Sequence, residues 1–220
     1  MKDMETLFPG CSYIVKCFDD DMPSLPKYRS KGIHGTAIVW KSDIDELIQP
    51  QPDGSSRVNV ILVNTKPDPL LIINTYMLTL GRTDEYSEFL AEVQEIMSKF
   101  NHCTTLWTGD INASVTREKN TKNDDMFQQF CNEQSLVVSH HMPKDPTYYP
   151  FNNKCKDSTI DLYVHRKNDN PVASIKTHVK QPFNTNPHNP VTATLNATLT
   201  TTMNASKTSN QLQPESTETR

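Results

Sequence analysis

No stretch of this chain approaches the roughly 18 consecutive apolar residues that a membrane-crossing helix needs, so no transmembrane helix is expected. Met1 is followed by Lys2, Asp3 and Glu5 rather than by an apolar signal core, so export is not expected either. The chain reads as soluble and intracellular. Positive charge is not in excess: 22 Lys and Arg against 26 Asp and Glu give a formal charge of −4. That excludes a global attraction for nucleic acid, and any phosphate binding must come from a local cluster. The five cysteines (Cys11, Cys17, Cys103, Cys131, Cys155) are odd in number and scattered, with no Cys-x-x-Cys pair and no Cys/His zinc spacing. A disulfide scaffold and a zinc module are therefore excluded, and the thiols are expected to be reduced. Apolar residues are scarce, at 35% with a mean hydropathy of −0.62, so some segment is expected to stay solvated and unpacked. There is no internal repeat.

What is present, 220 residues, suits one domain with a sizeable core and a tail. Strand-like runs occur at Ser12–Val15, Thr36–Trp40, Arg57–Asn64 and Leu70–Tyr76, the last two joined by Pro67-Asp68-Pro69 and so expected to pair antiparallel. A polar loop is expected over Phe18–Ser30. Thr83-Asp84-Glu85 opens a helix whose Tyr86, Phe89, Leu90, Val93, Ile96, Met97 and Phe100 form one apolar face, read as core packing without chemistry. Asn123-Asp124-Asp125 is expected to cap a second helix, apolar at Met126, Phe127, Phe130 and Cys131. Short strands are expected at Leu136–Val138, Pro146–Tyr149, Ser158–Val164, Val172–Val179 and Val191–Leu195. After Leu195 the composition turns to Thr, Asn, Ser, Gln and Glu, so residues 196–220 are expected to be a disordered tail behind a domain at 1–195.

Four polar sites fall at strand ends: Asn74-Thr75-Tyr76, Gly109-Asp110-Ile111-Asn112, Ser158-Thr159-Ile160-Asp161 and Pro187-His188-Asn189-Pro190. Asp110 and Asn112, two apart, would share a side of an extended backbone. A carboxylate beside a carboxamide can orient water, coordinate a hard cation or hold a phosphoryl oxygen, although Gly-Asp and Asn-Ala are also ordinary turn residues. Asp161 is a charge inside an apolar strand and needs a partner, and His188 is fixed between two prolines. Together they make a candidate dyad, in which the carboxylate would hold the ring's tautomer; a strand-ending Asp and a turn-filling His are the plain alternative. Lys27, Arg29 and Lys31, and separately Arg117, Lys119 and Lys122, could meet a phosphate backbone or simply be solvated surface.

In order, these segments resemble the endonuclease/exonuclease/phosphatase superfamily, and within it the endonuclease domains of non-LTR, LINE-type retrotransposons. Gly35–Trp40 is similar to the family's Gly-Gly-Val-Ala-Ile strand, Ile73–Tyr76 to its Asn-x-Tyr segment and Gly109–Ala113 to its Gly-Asp-Phe-Asn-Ala core. Pro146-Thr147-Tyr148 and Ser158–Leu162 resemble its Pro-Thr-Phe and Ser-x-Ile-Asp segments, and Pro187–Val191 takes the place of its Ser-Asp-His-x-Pro-Val ending. The resemblance implies an α/β (α+β) fold, a two-sheet β-sandwich with flanking helices, and magnesium-dependent cleavage of DNA phosphodiester bonds, in the nucleus. It assigns Asp110 to the attacking water, Asn112 and Tyr76 to the scissile phosphate, and His188, steadied by Asp161, to the charge developing there. Asn74 and Ser158 are the accompanying substrate contacts. Family members open with a strand carrying an Asn and a Leu-Gln-Glu segment whose Glu binds metal; the sequence as given shows neither, and Pro187 replaces the carboxylate before the His. Little or no nuclease activity is therefore expected, with the metal ligands left unassigned and an unpaired sheet edge. A non-catalytic binding module for nucleic acid or protein, or a phosphatase of small esters, are the alternative functions.

Overall fold

The computed structural model describes residues 4–17, 35–79, 81–151, 156–179 and 184–200. A short helix α1 (Met4–Leu7) precedes β1 (Cys11–Cys17) and β2 (Gly35–Lys41). A 3-10 turn at Ser42–Leu47 leads to β3 (Ile48–Pro50), β4 (Val58–Val63), β5 (Thr65–Lys66) and β6 (Leu70–Tyr76). Helix α2 (Thr83–Lys99) then carries the chain to β7 (Thr104–Asp110), and α3 (Lys122–Glu133) carries it to β8 (Leu136–Val138). The chain continues through β9 (Asp161–Arg166), β10 (Val172–Thr177), β11 (Val191–Leu195) and β12 (Thr198–Leu199).

Six strands form one mixed sheet in the order β3-β4-β6-β7-β9-β8. β4 and β6 pair antiparallel as the Pro67-Asp68-Pro69 turn predicts, whereas β6 and β7 run parallel because α2 returns the chain to the starting edge. Alternation along the strands sorts side chains onto two faces. Val58, Val60, Leu71, Ile73, Trp107, Leu162 and Val164 meet the apolar stripes of α2 and α3, where Trp107 packs edge-on to Phe127 and Phe130 at 5.7 and 5.9 Å. Ile61, Val63, Leu70 and Leu106 face the other way and are covered by Ile14, Ile38, Trp40, Val172 and Ile175. This is the expected α/β sandwich with flanking helices. Its second layer is made of two separate antiparallel ladders, β1–β2 and β10–β11, rather than one continuous sheet.

Several boundaries differ from the sequence expectation for local reasons. Helix α3 is capped two residues earlier, by Thr121, whose hydroxyl accepts the Asp124 amide while the Asp124 carboxylate accepts the Thr121 amide. Residues 146–149 form no strand: Tyr148 makes isolated bridges to Ser158 and His188. Regular pairing of the following segment begins at Asp161 rather than Ser158, and β10 ends at Thr177. Within the expected tail, Thr198 and Leu199 pair with Lys66 and Thr65, since their backbone finds the free side of β5. The polar loop at 18–30, the Lys27, Arg29 and Lys31 cluster and the remainder of the tail from 201 lie outside the described residues. Among the described residues no helix is long and apolar enough to cross a membrane.

Candidate active site

The site begins as one row across three strands. Tyr76 at the end of β6 pairs with Asp110 at the end of β7, and Asp110 pairs with Asp161 at the start of β9, so the three side chains share the face opposite the helices. Gly109 makes the row possible: with φ +122 it lies so close to β6 that a Cβ would sit 2.1 Å from the Thr75 carbonyl oxygen. His188 arrives from the loop before β11. Its backbone is held by Asn186, whose Oδ1 accepts the His188 amide at 3.0 Å, and by Asn184, whose Nδ2 donates to the His188 carbonyl at 2.6 Å.

The imidazole stands between the two carboxylates. Nδ1 donates to Asp161 at 3.0 and 3.2 Å, which fixes the tautomer and turns Nε2 toward Asp110, 3.8 Å away. The Asp161 bond raises the His188 pKa above its ordinary value against the opposing effect of burial. Burial, with the charge of Asp161 added, pushes the Asp110 carboxyl up to about 7, although His188 and the Asn112 hydrogen bonds pull the other way. The ring of Tyr148 rests on His188 at 4.8 Å between centroids. A cavity of about 1000 Å³ opens over the group, walled by Tyr76, Asp110, Asn112, Tyr148, Ser158 and His188 among others.

Asn112 reaches this wall by a different route from the one strand alternation suggests. The strand ends at Asp110, and Asn112 adopts φ 52, a left-handed conformation that Asn tolerates. Its amide N–H donates to Asp110 Oδ1 at 3.0 Å and its Nδ2 donates to the Met77 carbonyl at 2.9 Å, so it shapes the turn that presents Asp110. Asn74 sits one row deeper, beside Thr108 in the ladder, and its Nδ2 donates across the layers to the Ala37 carbonyl at 3.2 Å. It is not on the cavity wall. Ser158 is on the wall, bridged by its backbone to Tyr148.

Sequence reasoning missed Thr147. Fully buried, its hydroxyl accepts the amides of Ile160 at 3.0 Å and Asp161 at 3.1 Å, while its carbonyl accepts the Asn189 amide at 2.7 Å. One residue, through its hydroxyl and its carbonyl, therefore ties the start of β9 to the loop carrying His188. The only available signal was a Thr in a Pro-Thr-Tyr turn. Arg57 was also missed: its guanidinium lies 5.1 Å from the Tyr76 ring centre and donates to the Tyr76 carbonyl at 3.0 Å, fixing that residue from below.

Asp110, Asp161 and His188 each offer a ligand atom within 4.8 Å of the others. Two hard carboxylate oxygens, with an imidazole beside them, suit a divalent cation. The residues present therefore fit a metal ion.

A sheet layered between helices and strand ladders, with two carboxylates at its strand ends and an imidazole from the loop before β11 between them, defines a member of the endonuclease/exonuclease/phosphatase superfamily. Within it the chain belongs to the endonuclease-reverse transcriptase family, whose model matches residues 70–192. The structure is similar to the endonuclease domain of TRAS1, a telomere-specific non-LTR retrotransposon, at 14% identity and a TM-score of 0.66, covering 86% of this chain and 82% of that one. It is similar also to an AP endonuclease from Archaeoglobus fulgidus, at 14% identity and a TM-score of 0.62, covering 89% of this chain and 83% of that one. A third likeness is to the 3′ phosphatase NExo from Neisseria, at 15% identity and a TM-score of 0.57, covering 85% of this chain and 89% of that one. At these identities the likeness is one of fold. No curated protein matches the chain.

Proposed function

We propose that this site hydrolyses phosphodiester bonds in DNA with a divalent cation, magnesium by resemblance, as an endonuclease of retrotransposon descent with low turnover. The observation that carries the reading is His188 held between Asp161 and Asp110 on the wall of a cavity of about 1000 Å³. Asp110 and Asp161 would hold the cation through carboxylate oxygens, and when bound it supplies positive charge to a phosphoryl oxygen and makes water more acidic. The Asp110 carboxylate, on the cavity wall beside His188, is placed to take the proton from a water attacking phosphorus. His188 in its protonated form, steadied by Asp161, donates to a non-bridging oxygen as charge grows there, and the exposed Tyr76 hydroxyl is placed to donate to another. The P–O bond opposite the attacking water breaks, and the departing alkoxide takes its proton from solvent.

Low turnover follows from the donor set. Pro187 stands where the family resemblance places another acid, so among the described residues two carboxylates are left to the group. A supercoiled plasmid incubated with the purified chain tests the reading. Slow nicking that needs magnesium and disappears in Asp110→Ala is expected. Nicking no faster than that of the variant would overturn the reading, and cleavage of a phosphate monoester with the plasmid left intact would replace it with a phosphatase.

A further inference from the structure

Arg117, on the same cavity wall, is set up by a buried acid. Asp124 in the first turn of α3 is fully buried, and its carboxylate accepts the amides of Ser114 at 2.6 Å and Thr121 at 2.7 Å. Arg117 Nη1 donates to both of its oxygens, at 2.6 and 2.8 Å, and to the Thr121 hydroxyl at 3.4 Å. Burial alone would raise the Asp124 carboxyl, but the bonds from Thr121, Arg117 and Ser114 hold it below its ordinary value. Every hydrogen bond of the guanidinium to the described residues is thus made by Nη1. Nε and Nη2 keep three N–H donors in a rigid plane.

The other charges of the wall do not share this arrangement. Glu118 and Lys156 pair with each other at 2.5 Å, both largely in solvent, while Lys119 and Asp157 are single charges of opposite sign. Arg117 is held instead by a fixed partner, with its side chain only 25% exposed. A guanidinium fixed on one edge and open on the other matches two oxygens of a phosphate. The cavity is also larger than one phosphoryl group fills.

Resting on the reading of the site as a DNA phosphodiesterase, we propose that Arg117 clamps a second backbone phosphate, next to the one held at Asp110 and His188. The substrate is then a polynucleotide rather than a phosphate monoester. Asp124 acts through Arg117 as a positioning residue.

Duplex oligonucleotide binding measured across a salt series tests this. Removing Arg117 alone leaves a buried carboxylate without its cation, so the informative variant is Arg117→Met with Asp124→Asn, which keeps the net charge unchanged. Its affinity for the duplex at low salt should fall roughly five- to tenfold, and the slope of log affinity against log salt should shrink by about one. Binding of inorganic phosphate should be unchanged. Arg117→Lys should keep the slope and lose a few-fold in affinity, because the point charge stays and the planar fork goes. Unchanged slope and affinity in a double variant with wild-type thermal stability would overturn the clamp while leaving the phosphodiesterase reading in place. So would an equal loss for inorganic phosphate, which would place Arg117 on the reacting phosphate itself. If the wild-type chain binds no duplex at low salt, with or without magnesium, both readings fall.

Discussion

The buried hydroxyl of Thr147 accepts the Asp161 amide at 3.1 Å and the Ile160 amide at 3.0 Å, so the carboxylate facing His188 is set from beneath by a side chain 14 residues earlier. Thr147→Val keeps the shape and leaves two buried N–H groups without an acceptor. A loss of roughly 2–3 kcal/mol in urea unfolding is expected, since an orphaned buried donor costs its desolvation. Thr147→Ser should recover most of it. A valine variant as stable as wild type would show that these amides find another acceptor.

Gly109 is irreplaceable for a steric reason. A methyl group there meets the Thr75 carbonyl oxygen at 2.1 Å, on a backbone whose φ of +122 L residues avoid. Gly109→Ala should cost roughly 2–4 kcal/mol and push β7 away from β6, removing the alignment of Tyr76, Asp110 and Asp161. Thermal unfolding gives the first quantity, and a lower magnesium affinity gives the second.

Much of this was legible in the sequence where the signal is local. The period of Tyr86, Leu90, Val93, Ile96 and Met97 specifies α2, all five being buried, and apolar runs that end in polar residues mark Tyr76 and Asp110, while Asp161 stands out as a charge inside an apolar run. The position of Asn112 was misjudged because alternation was extended two residues past the end of the strand, where a hydrogen bond to Asp110 takes over. Asn74 was expected at the substrate, but its partner is a carbonyl 37 residues away in the other layer, which no local pattern reveals. The Thr121 cap and the Arg117–Asp124 pair are tertiary choices among several plausible Thr, Asn and Asp residues. Propensity alone does not rank them.

Arg166 offers a test away from the site. Its guanidinium donates to the carbonyls of Met97, Asn101 and Cys103 at 2.9 to 3.0 Å, where α2 ends and its last carbonyls would lack partners. Arg166→Met should cost roughly 1.5–3 kcal/mol, read by urea unfolding, because charge-assisted bonds to several carbonyls are lost together. Magnesium-dependent nicking should persist at temperatures well below the lowered midpoint.

The raised carboxyl of Asp110 ties stability to pH in a definite direction. Its folded pKa of about 7 lies above the ordinary 3.8, so between those values the folded chain holds a proton that the unfolded chain has released. Stability therefore falls as pH rises through that window. His188, raised above 6.5, acts in the same sense: its contribution is complete below 6.5 and is lost as pH rises through the folded value. The melting temperature in the absence of metal should accordingly decline from pH 5 to pH 8. Asp110→Asn keeps an oxygen for the Asn112 amide and removes the charge, so it should flatten most of this decline and melt higher than wild type at pH 8. Magnesium added at pH 8 should raise the wild-type midpoint, by binding the ionised carboxylates of the folded state, and leave the variant nearly unmoved. A wild-type midpoint that rises with pH across this range would contradict the burial assigned to Asp110.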